Sequence, residues 1–196
     1  MGATIVVLTE AWQKKLDDNI GSTTVISNPV DPILLPGTEP RDNEHLLLLG
    51  RDNPVKNHAF AMEIASELQI KRPGLKLSIT GIKRSTHPFI HALGWVTEEK
   101  KIHLLQTASV LLLPSLYEGQ PMVALEANAC RLPIVASSGL FSLPSSTVYV
   151  GPKIEEWISV IDTLLENPLN VVPDDNLPLI NTVQLKWMEC YSSLLE

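Results

Sequence analysis

Short apolar runs alternate with longer helical patterns along most of this 196-residue chain. The runs are rich in Leu, Ile and Val, which is typical of strands buried in a parallel sheet. Strands separated by helical patterns indicate βαβ units, so we predict an α/β fold with a Rossmann-like parallel sheet flanked by helices. The predicted strands are 3–8, 23–26, 46–50, 75–80, 91–95, 109–114, 133–137 and 147–150. The predicted helices are 10–18, 54–70, 97–108, 121–131, 153–166 and 182–195.

The composition is that of a folded globular protein, with 44% hydrophobic and 19% charged residues. A formal net charge of −7 and a pI near 5.2 argue against non-specific binding to nucleic acids or anionic membranes, although they leave room for a local anion site. No apolar run reaches the length that spans a bilayer. Cys130 and Cys190 fit neither a disulfide framework nor a metal site, so we interpret both as core thiols in a reducing compartment.

Two loops are expected at the carboxyl ends of strands, where ligands bind in doubly wound sheets. The first is GRDNPVKN (50–57). Asn53 is a good N-cap and Pro54 suits a first helical position, so the helix is predicted to begin there and to carry Lys56 in its first turn. A cation in that electropositive turn, close to Arg51, favours an anion bound between the two side chains. The alternative is that both cations project into water, or that Arg51 pairs with a neighbouring carboxylate.

The second loop leads from the strand at 109–114 into an almost wholly apolar helix. Pro121 is the predicted first helical residue, and Gly119 permits close approach to the backbone. Glu118 is placed at the carboxyl edge of the sheet, with a capping role as its alternative. Glu126 is placed in the second turn of the buried helix and needs hydrogen-bond donors. It either forms a structural ion pair with a Lys or Arg, or accepts hydrogen bonds from a ribose diol.

Together the two loops bring cations suited to a diphosphate and carboxylates suited to sugar hydroxyls to one edge of the sheet. Those groups match the two polar parts of a nucleotide sugar. The residues themselves therefore predict a nucleotide-sugar site.

The segment PSLYEGQPMVALEANACRLPIVAS (114–137) resembles the donor-site segment of family-4 retaining glycosyltransferases, which have the GT-B fold. It contains that family's pair of glutamates with seven residues between them. GRDNPVKN resembles the same family's phosphate clamp, G-R-x4-K. SNPVD (27–31), HALGWV and KWMECYSSLL are similar to its interdomain linker, its short strand near the nucleobase and its C-terminal helix. These similarities keep the family's order across roughly residues 23–196.

The resemblance implies a hexosyltransferase that uses a nucleoside-diphosphate sugar and retains the anomeric configuration, with no cofactor and no obligatory metal. It implies that Arg51 and Lys56 stabilise the departing diphosphate, that Glu118 contacts the donor sugar and that Glu126 contacts the ribose. Positive charge placed where the leaving group becomes negative is electrostatic catalysis, so Arg51, Lys56 and Glu118 are the implied catalytic residues. The implied donor-binding residues are Gly50, Arg51, Lys56, Gly94, Val96, Glu118, Gly119, Gln120, Pro121, Met122 and Glu126.

The chain departs from the family pattern at three places. Arg131 replaces a usual Gly, so its backbone either avoids positive φ or is strained. The connector between Thr80 and Leu93 is shorter than the family's helix-containing connector, and SSGLFSLPSS lacks a Glu that often follows the preceding strand. The five histidines match no acceptor-side catalytic motif, and we predict surface or core roles for His45, His58, His87, His91 and His103.

The resemblance also predicts a domain organisation: the end of an acceptor domain (1–26), a linker (27–44), a nucleotide-sugar-binding domain (45–180) and a C-terminal crossover helix (181–196). Because the sequence holds only the tail of an acceptor domain, the isolated chain is predicted not to transfer sugar. The alternatives are a subunit of a split glycosyltransferase and a non-catalytic nucleotide-sugar-binding module. The expected partner is the acceptor domain or a partner subunit, through which the whole enzyme could touch a membrane. The expected location is the cytoplasm, and the expected process is polysaccharide or glycoconjugate biosynthesis.

Overall fold

The computed structural model describes residues 4–20 and 23–194, and the side chains of 17–20 are not described. Position 3 of the first predicted strand and position 195 of the last predicted helix lie outside these residues. The strands are β1 Ile5–Val7, β2 Thr23–Val25, β3 His45–Leu48, β4 Lys76–Thr80, β5 Ile90–Gly94, β6 Val110–Leu113, β7 Ile134–Ser137 and β8 Val148–Val150. The helices are α1 Glu10–Ile20, α2 His58–Lys71, α3 Glu98–Thr107, α4 Met122–Ala129, α5 Ile154–Glu166 and α6 Ile180–Ser192.

Strands β3 to β8 form one parallel sheet in the order β5-β4-β3-β6-β7-β8. The predicted fold class, an α/β fold with helices flanking a parallel sheet, is confirmed. The strand order reverses between β3 and β6, which are neighbours in the sheet although far apart in the chain. In open sheets of this kind the crevice at such a reversal is the usual ligand site. Both loops singled out from the sequence follow these two strands.

The sheet is buried on both faces because its strands place successive apolar side chains on opposite sides. Leu46 and Leu48 pack into one cluster with α2 and α5, where Trp157 is almost completely buried. Leu47 and Leu49 pack into a second cluster with α3 and α4. Cys130 and Cys190 are buried free thiols, as predicted, and burial raises the pKa of Cys130 to about 11.

A smaller parallel sheet of β1 and β2, connected by α1, precedes the main sheet. The segment between the two sheets forms a parallel bridge between Val30 and Leu179, just before α6. Ile26, Val183 and Cys190 then form a small buried cluster between this region and α6. The two ends of the described chain are thus packed together. Among the described residues, no helix is long and apolar enough to cross a membrane.

The helix predicted at 54–70 is wrong at its start. Pro54–Lys56 forms a separate 3-10 turn, and α2 begins only at His58. Asn57 separates them because its backbone is left-handed, with φ of 52°. Lys56 therefore lies before α2 and not in its first turn, so the helix-dipole reasoning that placed an anion there does not hold as stated.

The other element boundaries agree with the prediction to within three residues at each described end. Pro121 and Thr97, predicted as first helical residues, are the N-caps of α4 and α3. Arg131 has φ of 57°, so of the two alternatives for this turn the strained one is present. The connector after Thr80 contains no helix before β5 begins at Ile90, in agreement with its short length.

Candidate functional site

A cavity of about 550 Å³ opens at the carboxyl edge of the sheet, beside the point where the strand order reverses. It is bounded by the loop after β3, the turn between β5 and α3, and the start of α4. Its lining residues are Leu49, Gly50, Arg51, Lys56, Thr80, Trp95, Val96, Glu98, Lys101, Pro121, Met122 and Val123.

The loop after β3 is held by local hydrogen bonds. The Asn53 side chain accepts from the Val55 N–H at 2.9 Å, and the Gly50 N–H donates to the Thr80 hydroxyl at 2.8 Å. Gly81, with φ of 87°, allows this loop to lie against β4, because a Cβ there would come within 2.5 Å of the Gly50 carbonyl oxygen. The backbone that carries Arg51 and Lys56 is therefore fixed before any ligand binds.

Arg51 is exposed and makes no hydrogen bond or ion pair with any described residue. The alternative in which it pairs with Asp52 or Glu44 is not observed: Asp52 lies 3.7 Å from His58, and Glu44 lies 3.8 Å from Arg72. Arg51 projects into water, as the other alternative for this residue had it. A guanidinium that lines a cavity with all of its N–H groups available is well suited to a bidentate anion such as phosphate.

Lys56 connects the two loops. Its Nζ lies 2.6 Å from Oε1 of Glu118, and both side chains are largely buried, at 24% and 12% exposure. The Leu116 N–H also donates to the Val55 carbonyl at 2.9 Å. Lys56 therefore does not project into water, and the acid paired with it belongs to the second loop, as the sequence placed it.

Glu126 is buried in the second turn of α4. Its Oε1 accepts a hydrogen bond from Lys101 at 2.6 Å, so the ion pair that the sequence left open is present, and its cation comes from α3. Lys101 also contacts Glu98 at 2.6 Å. Burial alone would lower the pKa of Lys101, but the hydrogen bonds with these two carboxylates outweigh burial and raise it. Lys101 lines the cavity, whereas Glu126 lies behind it.

Two residues that precede the main sheet, Trp12 and Asn28, hold the second loop in place. The Trp12 indole N–H donates to the Gly119 carbonyl at 2.7 Å. The Asn28 backbone N–H and side-chain amide donate to Gln120 at 2.7 and 2.8 Å. Gly119 and Gln120 thus form the outer support of the loop, and Pro121 and Met122 form the cavity wall.

The start of α4 faces this cavity. Pro121 caps the helix with extended backbone, and no side chain caps its first turn. The N–H groups of Met122 and Val123 belong to the first turn of a helix, where backbone donors have no partner within the helix. They supply partial positive charge at the same place as Arg51 and Lys56.

The turn after β5 forms the far wall. Gly94, with φ of 62°, is buried and exchanges backbone hydrogen bonds with the connector at Gly81 and Ile82, so it shapes the turn and does not line the cavity. Val96 does line it, as predicted. Trp95 also lines it and is 75% exposed. The sequence reasoning did not select Trp95, because an exposed indole next to Gly94 carries no local signal.

The structure thus brings six of the predicted site residues onto the cavity surface: Gly50, Arg51, Lys56, Val96, Pro121 and Met122. Glu118 and Glu126 are not lining residues, and each is paired with a lysine that is. Gly94, Gly119 and Gln120 support its walls. Functional neighbours that the sequence reasoning missed are Lys101, Thr80, Trp12 and Asn28.

The histidines lie away from this cavity. His45 is buried and shares a 2.8 Å hydrogen bond with Ser78, and burial, aided by Lys76, lowers its pKa to about 4. His58 is buried, with no hydrogen bond to either ring nitrogen. His87, His91 and His103 are exposed. These are the surface and core roles that were predicted. Among the described residues, no group of three or more His, Cys, Asp or Glu could hold a metal ion.

The chain is similar in sequence to known glycosyltransferases. Residues 43–167 match the family described as glycosyl transferases group 1. A D-inositol 3-phosphate glycosyltransferase of an Arthrobacter species is 28% identical over 151 residues, which are 66% of this chain and 36% of that enzyme.

Two solved structures are similar in fold. One is the pneumococcal O-GlcNAc transferase GtfA, with a TM-score of 0.78 at 16% identity, covering 98% of this chain and 45% of GtfA. The other is the C-terminal domain of a glycosyl transferase group 1 family protein, LpcC, of Francisella tularensis, with a TM-score of 0.60 at 16% identity, covering 83% of this chain and 97% of that domain. The chain spans less than half of the length of the Arthrobacter enzyme and of GtfA.

Proposed function

The chain belongs to the glycosyl transferases group 1 family, and from that premise we propose that it is the C-terminal, donor-binding domain of a retaining, family-4 hexosyltransferase. In this proposal the cavity at the strand reversal binds a nucleoside-diphosphate sugar. The domain boundaries predicted above, the cytoplasmic location and the role in polysaccharide or glycoconjugate biosynthesis remain part of the same proposal.

The observation that carries the proposal is the convergence of positive groups on one cavity. Arg51 has no partner among the residues that the structure describes, Lys56 is 2.6 Å from Glu118, and the first turn of α4 adds backbone N–H groups with no partner within the helix. Carboxylates offset Lys56 and Lys101, whereas the charge of Arg51 near this helix N-terminus is not offset by any described residue, which is unfavourable without a ligand. A diphosphate supplies the missing negative charge.

The same arrangement supports a mechanism. The bond between the anomeric carbon and the diphosphate oxygen breaks, and the electron pair leaves with the diphosphate. Arg51 and Lys56 stabilise the charge that develops there, which lowers the barrier more than it strengthens ground-state binding. Glu118 orients Lys56 through Oε1 and has Oε2 available to accept from a sugar hydroxyl. An acceptor hydroxyl oxygen then forms a bond to the anomeric carbon on the same face of the sugar, and its proton passes to the departing diphosphate oxygen.

The proposal also requires a second domain or subunit that binds the acceptor. Helix α6 exposes Leu185, Met188 and Tyr191, each at 59% or more, on one described stretch of helix. A contiguous exposed apolar surface of this kind favours contact with another domain or subunit. We assign it to an acceptor domain or partner subunit, and we expect no sugar transfer by the isolated chain. Transfer from a nucleotide sugar by the purified 196-residue chain would contradict this part of the proposal.

Calorimetric titration tests the binding function directly. The similar pneumococcal enzyme is in complex with UDP and GlcNAc, so UDP is the first ligand, followed by GDP and ADP. We expect one nucleotide to bind, and Lys56→Met to weaken it by about 30-fold, since a hydrogen bond between charged groups contributes roughly 2 kcal/mol. Lys76→Met is the matched control, because Lys76 pairs with Asp42 at the opposite edge of the sheet.

Two results would contradict the donor-site assignment. One is the absence of binding for all three nucleotides. The other is equal loss of affinity in Lys56→Met and Lys76→Met, which would indicate a general effect of charge and not a site at the loop after β3.

A further inference from the structure

We propose that Lys101 is a positioning residue for the nucleotide: it holds one oxygen of the Glu126 carboxylate and leaves the other directed to the ribose hydroxyls. This inference rests on the proposed function, in which a nucleoside diphosphate occupies the cavity. It assigns a role to a residue of α3 that belongs to neither of the two loops.

The geometry places Lys101 between a buried and an exposed acid. Its Nζ lies 2.6 Å from Oε1 of Glu126, whose side chain is 9% exposed, and 2.6 Å from Oε1 of Glu98, whose side chain is 66% exposed. Glu98 is one helical turn before Lys101 on α3, so the ammonium is fixed from both sides. Lys101 therefore cannot swing freely into the cavity.

The hydrogen bonds of Glu126 are incomplete. A carboxylate offers about four acceptor positions on its two oxygens. Among the described residues, the Glu126 side chain accepts only from Lys101, through Oε1. The other oxygen, Oε2, has no partner among the described residues, and it is not one of their fully buried unpaired atoms, so it is accessible to donors that are not part of the chain.

The position of the cavity identifies these donors. Lys101 and Glu98 both line it from α3, whereas Arg51 lines it from the loop after β3. A ligand whose diphosphate contacts Arg51 and Lys56 extends its next group toward α3. In a nucleoside diphosphate that group is a ribose, whose vicinal hydroxyls can donate to one carboxylate. Lys101 thus holds the Glu126 side chain in one rotamer without contacting the nucleotide.

Calorimetry with three ligands tests this role: the nucleoside diphosphate that binds the parent protein, its 2′,3′-dideoxy analogue, and inorganic pyrophosphate. We expect Lys101→Met to weaken binding of the nucleoside diphosphate by about 10-fold, and to leave binding of the analogue and of pyrophosphate within about twofold. Lys101→Arg should restore most of the lost affinity. Lys101→Met combined with Glu126→Gln should bind no more weakly than Glu126→Gln alone.

Controls separate this role from a general one. Lys100→Met removes the neighbouring exposed cation and should change nothing. If Lys101→Met does not fold, which its thermal unfolding curve would show, Lys101→Gln removes the ammonium while keeping a polar side chain, and it should weaken the nucleoside diphosphate and spare pyrophosphate in the same way.

Distinct outcomes overturn distinct claims. Equal weakening of pyrophosphate and nucleotide would mean that Lys101 contacts the phosphates, and unchanged nucleotide binding would mean that it has no role; either result overturns the inference. In either case the proposed function stands if the parent protein binds nucleotide and Lys56→Met weakens that binding. If no nucleotide binds the parent protein, the proposed function fails and the inference fails with it.

Discussion

The two edges of the main sheet both collect cations, but they use them differently. At the amino edge Arg41 donates to the carbonyls of Leu105 and Ala108 at 2.8 and 2.7 Å, and to Cys130 at 2.5 Å. Arg72 contacts Asp162 at 2.6 Å and Glu166 at 3.3 Å. These two arginines therefore have their charges and hydrogen bonds satisfied by the chain itself, without a ligand.

At the carboxyl edge Lys101 also has two acidic partners, but the two cations of the loop after β3 have fewer. Arg51 has none among the described residues, and Lys56 has one acid. The helix axes explain why this matters. Helices end at the amino edge, where unpaired carbonyls attract cations, and begin at the carboxyl edge, where unpaired N–H groups repel them. Cations at the first edge stabilise the fold, and cations at the second favour a bound anion.

The sharpest test of this contrast replaces one arginine at each edge. Arg41→Met leaves three backbone carbonyls without their donor, and we expect the free energy of unfolding to fall by about 4 kcal/mol. Arg51→Met should change it by less than about 0.5 kcal/mol, because Arg51 is exposed and unpaired. Urea unfolding curves measure both, and similar losses in the two variants would remove the distinction between the edges.

Acid should weaken the amino edge through His45. Burial lowers its folded-state pKa to about 4 from the usual 6.5, so the folded protein favours the neutral ring. The free energy of unfolding therefore keeps its full value above pH 6.5. As the pH falls from 6.5 toward 4, the unfolded protein takes up a proton on His45 more readily than the folded protein, and the free energy of unfolding decreases by at most about 3 kcal/mol. His45→Gln can keep the hydrogen bond to Ser78 but cannot titrate. Unfolding curves of the parent and variant that stay parallel from pH 7 to pH 4 would contradict this.

A substitution at the carboxyl edge should change the affinity for the nucleotide. We expect Arg51→Met to weaken the nucleoside diphosphate by about 30-fold, since a guanidinium–phosphate contact contributes roughly 2 kcal/mol. Arg84→Met, which removes another exposed arginine in the connector after β4, is the control. Titration of both variants with the same nucleotide compares them, and an undiminished affinity in Arg51→Met would place the diphosphate elsewhere.

The smallest effect is expected at Arg131, which ends α4 at the amino edge with φ of 57°. Glycine adopts this conformation without strain but loses more entropy on folding, so Arg131→Gly should raise the free energy of unfolding by only about 0.5–1 kcal/mol. Arg131→Ala retains the strain and should change little. Thermal unfolding of the two variants, measured together, decides whether the turn is strained.

Most of the sheet could be predicted because the side-chain period is a property of the local sequence. Leu46 to Leu49 alternate between the two core clusters, as a strand buried on both faces requires. Glu118 and Lys56 could be expected near each other because both follow strands that end at one edge. Their direct contact could not, since it depends on the register between β3 and β6.

Three features were beyond local reasoning. The left-handed Asn57 interrupts a segment whose composition otherwise suits one continuous helix. The ion pair between Lys101 and Glu126 forms because α3 and α4 pack on the same face of the sheet. Trp12 and Gly119 are separated by 107 positions, so no pattern in the sequence relates them.

That contact between Trp12 and Gly119 uses an indole on one side and the main chain on the other. Within the described part of the chain, a Cβ added at position 119 would come within 4 Å of Leu8 alone, at an ordinary 3.5 Å. During divergence the loop can therefore accept new residues at this position while its anchorage persists, and a change at Trp12 cannot be compensated there. Libraries that vary position 119 while retaining Trp12 offer a way to alter the rim of the cavity without detaching it.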